Sequence, residues 1–175
     1  MVFNTCSETY AKEIPTPEYG EGLDELLRVN AHKLHVIIDG IDYELFDPEH
    51  DPNLPHHYSA LAPEAKALDR AELRSELKLG HSDKPLCAMV SRFYDVKGLD
   101  LVEQAMAALM DLGVQVVVVG AGDRRYEDMF RRWAAERPKQ VAAAIGFDSA
   151  LAQRVDPGAD MPWMPSRFQP CGLAK

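Results

Sequence analysis

Arg92 and Lys97 stand five residues apart, where an apolar run ends and a helical pattern begins. Cations fixed at such a place hold phosphate, a guanidinium through paired hydrogen bonds and an ammonium as a point charge. The stretch that carries them, Pro85 to Asp100, gives a reason for them to converge. Leu86 to Val90 is apolar without alternation, the pattern of a strand buried on both faces. Ser91 and Arg92 fall at its end, and Phe93 to Val96 make a short loop. Leu99, Val102, Ala105, Met106 and Leu109 then recur at helical spacing. In an open parallel sheet, ligands bind beyond the carboxyl ends of the strands, where helix N-termini present unpaired N–H groups. Arg92 and Lys97 are therefore candidate phosphate ligands.

Two other clusters invite chemistry. Gly120-Ala121-Gly122 follows a second apolar run, and its glycines serve either a close phosphate approach or a tight strand-to-helix turn. The dinucleotide fingerprint is incomplete, because the third glycine and the acid about 20 residues on are missing. His50, His56 and His57 lie near Asp47 and Asp51, but without zinc-type spacing, and the adjacent pair His56-His57 cannot share one helical face. A surface loop with no metal site is the expectation there. The pairs Arg124-Arg125 and Arg131-Arg132 fit the solvated face of a helix.

The elements that must position these residues are regular only after Gly80. Residues 1–20 read as irregular, with Pro15, Pro17 and Gly20 against any long helix. Gly22 to Asn30 predicts a short helix and Lys33 to Ile38 a strand, ended by Asp39-Gly40. Ile41 to Ala62 reads as a linker or ordered loop. Pro63 to Leu79 predicts a packing helix with an apolar stripe of Ala65, Leu68, Leu73 and Leu77. From there strands at 85–90, 114–119, 140–145 and 160–164 alternate with helices at 97–112 and 124–136 and a short one opened by Asp148. That alternation predicts an α/β fold, a Rossmann-like parallel sheet with flanking helices.

The chain has 175 residues, 46% hydrophobic and 27% charged, enough for one full core and part of another. A net charge of −9 argues against nucleic acid and anionic membrane as partners, since both require a basic surface. A local cationic pocket in an acidic protein suits a small anion. Cys6, Cys87 and Cys171 are odd in number and lack ligand spacing, which predicts free thiols in a reducing compartment. No run approaches the roughly 18 apolar residues of a membrane helix. A soluble intracellular protein is expected.

Seven segments in register then carry a family likeness. They are Thr9 to Ile14, Gly40-Ile41-Asp42, Ser91-Arg92 with Lys97 to Asp100, Gly120 to Asp123, Gly146-Phe147, Gly158 to Asp160 and Pro165 to Leu173. In order and spacing they resemble bacterial glycogen synthase and plant starch synthase. The resemblance implies a GT-B glycosyltransferase, built of two Rossmann-like domains. Such an enzyme transfers glucose from ADP-glucose to the nonreducing end of an α-1,4-glucan with retention, without a cofactor. By it, residues 1–38 are the tail of the N-terminal domain, 39–80 the hinge and linker helix, and 81–175 part of the C-terminal nucleotide-sugar-binding domain. A cytoplasmic location, or the plastid stroma, goes with it.

The resemblance also assigns roles. Arg92 and Lys97 match the basic pair that grips the diphosphate, which the strand-end argument reached independently. Asp39 and Gly40 match a nucleotide-sugar-binding turn, and Phe147 a position near the adenine. Cys171, Gly172 and Leu173 match a loop and helix start whose N–H groups face phosphate and sugar. Gln169 stands where the family has the first glutamate of its Glu-x7-Glu motif. A neutral amide hydrogen-bonds sugar hydroxyls but does not stabilise a developing oxocarbenium ion, so a loss of rate is expected. Asp39 replaces an asparagine and Glu8 a proline, and Pro162 breaks into what should be a buried strand. These 175 residues alone are expected to bind nucleotide at most weakly and to transfer no glucose. The alternative is a catalytically dead nucleotide-binding or interaction module.

Overall fold

The computed structural model describes residues 2–167. It forms two compact units, the first running through Tyr43 and the second spanning Glu44–Arg167.

In the first unit, strand β1 (Phe3–Thr5), helices α1 (Glu8–Glu13) and α2 (Asp24–Val29) and strand β2 (Leu34–Val36) follow in order. β1 and β2 pair in parallel, with Phe3 opposite Leu34 and Thr5 opposite Val36. The irregular reading of residues 1–20 is corrected by α1. Ser7 supplies its N-cap, accepting from the Tyr10 N–H at 3.2 Å, and Glu8 sits in its first turn. The prolines limit it to six residues.

The second unit opens with residues 44–62, an ordered loop rather than a free linker. Asn53 donates to the Gln153 side chain at 2.7 Å, and the His56 N–H to Asp69 Oδ1 at 3.0 Å. After a 3-10 turn at Pro63–Ala65 come α3 (Lys66–Glu76), β3 (Leu86–Val90), α4 (Leu99–Asp111), β4 (Gln115–Gly120), α5 (Arg124–Glu136), β5 (Val141–Ile145), α6 (Ser149–Gly158) and β6 (Met161–Pro162). The stripe expected on α3 is wrong at one step: Leu68 is 53% exposed and Asp69 is 4% exposed. The inward turn carries polar tethers, with Asp69 on the His56 amide and Lys66 on the Pro157 carbonyl. Among the described residues, no helix is long and apolar enough to cross a membrane.

All four strands of the second unit run parallel in the order β5-β4-β3-β6. Alternate residues therefore face opposite layers. Cys87, Met89, Val116 and Val118 pack with Leu99, Val102 and Met106 of α4 and Phe130 of α5. Leu86, Ala88, Val117 and Val119 pack with Leu73 of α3 and Leu151 and Val155 of α6. Each buried Val, Leu, Met or Phe side chain among them stabilises by about 1.5–3 kcal/mol before entropy is counted. From β3 the chain winds outward through β4 to β5, then returns as β6 on the other side of β3. The reversal makes the carboxyl end of β3 the topological switch point.

Pro162 is accommodated, and the expected buried strand is a two-residue exposed one. It lacks an N–H, and the neighbouring Trp163 N–H donates to the Ala88 carbonyl at 2.6 Å. Asp160 secures the start of this strand by accepting from the Leu86 N–H at 2.8 Å and pairing with Arg70.

Candidate functional site

The loop leaving β3 is pinned by Phe93. Its ring is fully buried and lies against Phe130 with centroids 5.1 Å apart. Its N–H donates to the Ala121 carbonyl at 2.9 Å, and its own carbonyl accepts from the Asp123 N–H at 2.8 Å. The loops after β3 and β4 thus touch backbone to backbone. A Cβ on Gly120 would lie 1.8 Å from the Ser91 carbonyl oxygen, and one on Gly122 2.4 Å from that of Phe93. The Gly-x-Gly run is there to admit the neighbouring loop, a use its spacing did not announce.

Arg92 and Lys97 flank this anchor. Arg92 is exposed, its guanidinium 5.9 Å from the centroid of the Tyr94 ring. Lys97 ends a 3-10 turn (Asp95–Lys97) and is half-buried, its N–H donating to the Tyr94 carbonyl at 2.9 Å. Partial burial first, and the Arg92 charge second, push the Lys97 ammonium below the usual lysine range. The Arg92 charge thus reaches Lys97, and both cations stand on the loop between β3 and α4. Gly98 follows at φ +68° and opens α4; a Cβ there would lie 2.1 Å from the Pro165 carbonyl oxygen. Beyond β6, Arg167 donates its N–H to Val96 at 3.0 Å and pairs its guanidinium with Asp100.

Above the carboxyl ends of β3, β4 and β5 lies an open cleft of about 410 Å³, bordered by Ser91, Arg92, Gly120, Gly146, Phe147 and Asp148. Phe147 is 96% exposed, an apolar ring held out of the core. Gly146 before it has φ +139° and open space where a Cβ would be. Asp148 caps α6, accepting from the Leu151 N–H at 2.9 Å. The structure thus brings Arg92 and Phe147 to one cleft, with Lys97 within electrostatic reach of Arg92 but off the lining. Asp39 and Gly40 belong to the first unit, on exposed backbone after β2. Gln169, Cys171, Gly172 and Leu173 lie outside the described residues.

The histidines separate. His50 Nδ1 is 2.7 Å from Asp47 Oδ2, which pushes His50 up and Asp47 down, and Glu49 lies close by. His57 instead pairs with the Asp51 carbonyl and His56 with Glu72. On α5, Arg125 and Arg132 both reach Glu103 and Arg131 reaches Glu127 and Asp128, the solvated face expected. Sequence reasoning missed Asp95, Asp100, Tyr126 and Arg167, which hold the cationic loop from two sides. No spacing rule joins residues so far apart in the chain.

A parallel sheet with helices on both faces and a rim cleft is a Rossmann-like architecture, and here it matches a GT-B glycosyltransferase domain. The catalytic domain of starch synthase IV from Arabidopsis thaliana, bound to ADP and acarbose, superimposes with a TM-score of 0.89 at 29% identity, over 98% of this chain and 36% of that one. The family model for the starch synthase catalytic domain matches residues 2–29. The chain is homologous to bacterial glycogen synthases. It is 45% identical to that of Desulforudis audaxviator over 174 residues, and 50% identical to that of Anaeromyxobacter dehalogenans over 170. These alignments take in 99% and 97% of this chain, and it spans 35% and 36% of those relatives' length.

Proposed function

We propose that the chain supplies the nucleotide-facing wall of an ADP-glucose-dependent glucan synthase. The parent enzyme would move glucose from ADP-glucose to the nonreducing end of an α-1,4-glucan with retention of configuration. In this reading the first unit is the tail of the N-terminal domain, and the second holds the linker helix and part of the C-terminal domain. The observation that carries it is the cleft at the carboxyl ends of β3, β4 and β5, lined by Arg92 and Phe147, with Lys97 on the loop that leaves β3. The ADP named for the Arabidopsis neighbour supports the same reading.

The chemistry follows from the side chains. Arg92 and Lys97 grip the diphosphate and offset the negative charge that grows on departing ADP, which preorganised cations do at no reorganisation cost. The Phe147 ring offers a face to the adenine. Asp39 and Gly40 would touch the nucleotide sugar, Gln169 the glucose hydroxyls, and the Cys171-Gly172-Leu173 backbone the phosphate. Transfer also needs the acceptor held opposite, since geometry supplies much of the rate. No cofactor or metal enters this mechanism, and a cytoplasmic or plastid stromal setting fits it.

Gln169 favours a second reading, a nucleotide-binding module without catalysis. Labelled ADP-glucose and glycogen distinguish the two. The synthase reading expects transfer by the full-length parent; nucleotide binding by a parent that transfers nothing would support the module.

A further inference from the structure

We propose that Tyr126 is a positioning residue for the diphosphate grip: its hydroxyl, donated to the Asp95 carboxylate, fixes the turn that presents Lys97. The inference rests on the nucleotide reading above. It begins from the weakness of the turn. Asp95–Lys97 is a single 3-10 turn, closed by the Gly98 N–H on the Asp95 carbonyl at 2.9 Å, with Asp95 and Val96 exposed. Such turns have poorer hydrogen-bond geometry than an α-helix and persist only as short pieces. Tyr126 provides a tether from inside the protein. It is 1% exposed, its ring belongs to the core beneath α4 and α5, and its hydroxyl reaches Asp95. A buried ring with two torsions passes the rigidity of α5 to the loop with little slack.

The same bond has an electrostatic use. Asp95 lies two residues from Lys97, and its carboxylate carries the sign of the ligand. Tied to Tyr126, it is kept from turning onto the ammonium and competing with the diphosphate. Arg125 stands over the Tyr126 ring, 5.1 Å from the centroid, and its guanidinium is engaged by Glu103 at 3.2 Å. The Asp95 hydrogen bond pushes the Tyr126 hydroxyl up to about 12, so it remains a donor throughout the physiological range.

The test is calorimetry on the full-length parent with ADP and with adenosine, comparing wild type with Tyr126→Phe, which keeps the ring. We expect ADP to bind roughly three- to tenfold more weakly and adenosine unchanged, since one tether is lost and only phosphate is read by the loop. In an Asp95→Ala background, Tyr126→Phe should have no further effect. If Tyr126→Phe binds ADP as wild type does, or loses adenosine in proportion, the proposal is overturned while the nucleotide reading stands. If the wild-type parent binds no ADP, the nucleotide reading fails and takes the proposal with it.

Discussion

The carbonyl oxygen of Ser91 occupies the space that any side chain on Gly120 would need, 1.8 Å from the ideal Cβ position. Backbone cannot retreat as the tip of a flexible side chain can. Gly120→Ala must therefore part the loops after β3 and β4, and overpacking of this kind costs about 1–3 kcal/mol. Urea unfolding should show that loss for Gly120→Ala and little change for Gly40→Ala, where a Cβ would meet nothing within 4 Å. Equal stability of the two variants would mean the loops are not in contact.

Arg92→Ala and Lys97→Ala should each weaken ADP binding about tenfold, the scale of one charge-assisted hydrogen bond. Added salt should narrow the difference. A second readout is the Lys97 titration itself. Burial and the Arg92 charge now hold that ammonium low, and a bound diphosphate adds opposite charge, so its pKa should rise on ADP binding. Titration by NMR with and without ADP measures the shift, and a fall would place the anion elsewhere.

How far the sequence disclosed this arrangement depends on how local each cause is. Strands β3, β4 and β5 were legible because unbroken apolar runs such as Val116 to Val119 admit few other fates. Asp148 was legible as a cap, since capping acts within three residues. Arg92 and Lys97 could be placed at a strand end by topology alone. What stayed hidden depends on distant partners. Asp69 points inward because of His56, Gly120 is a glycine because of Ser91, and Asp95 is held by Tyr126 on another helix. Pairwise causes of this sort leave no periodic trace.

Phe147→Ala separates stability from recognition. The ring is 96% exposed, so its removal should change unfolding free energy by less than about 0.5 kcal/mol. If the ring stacks on adenine, ADP affinity should drop by about 1–3 kcal/mol while pyrophosphate binding is unaffected. Equal loss for both ligands would remove Phe147 from the base-binding role.

Alkaline unfolding gives a check on the Tyr126–Asp95 bond that requires no ligand. The folded hydroxyl is raised to about 12 by the Asp95 hydrogen bond, then by burial and the Asp95 charge; Asp100 adds to the rise and Arg125 opposes it. The unfolded chain has an ordinary tyrosine near 10. Because the folded state binds this proton more tightly, the stabilisation is complete below about pH 10 and is lost as pH rises toward 12. Wild type should therefore be more stable than Tyr126→Phe at pH 9, and the gap should close over the next three units, measured by urea midpoints at each pH. A gap that stays constant across that range would show that the hydroxyl is not bonded to a carboxylate in solution, and the loop carrying Lys97 would have lost its inner tether.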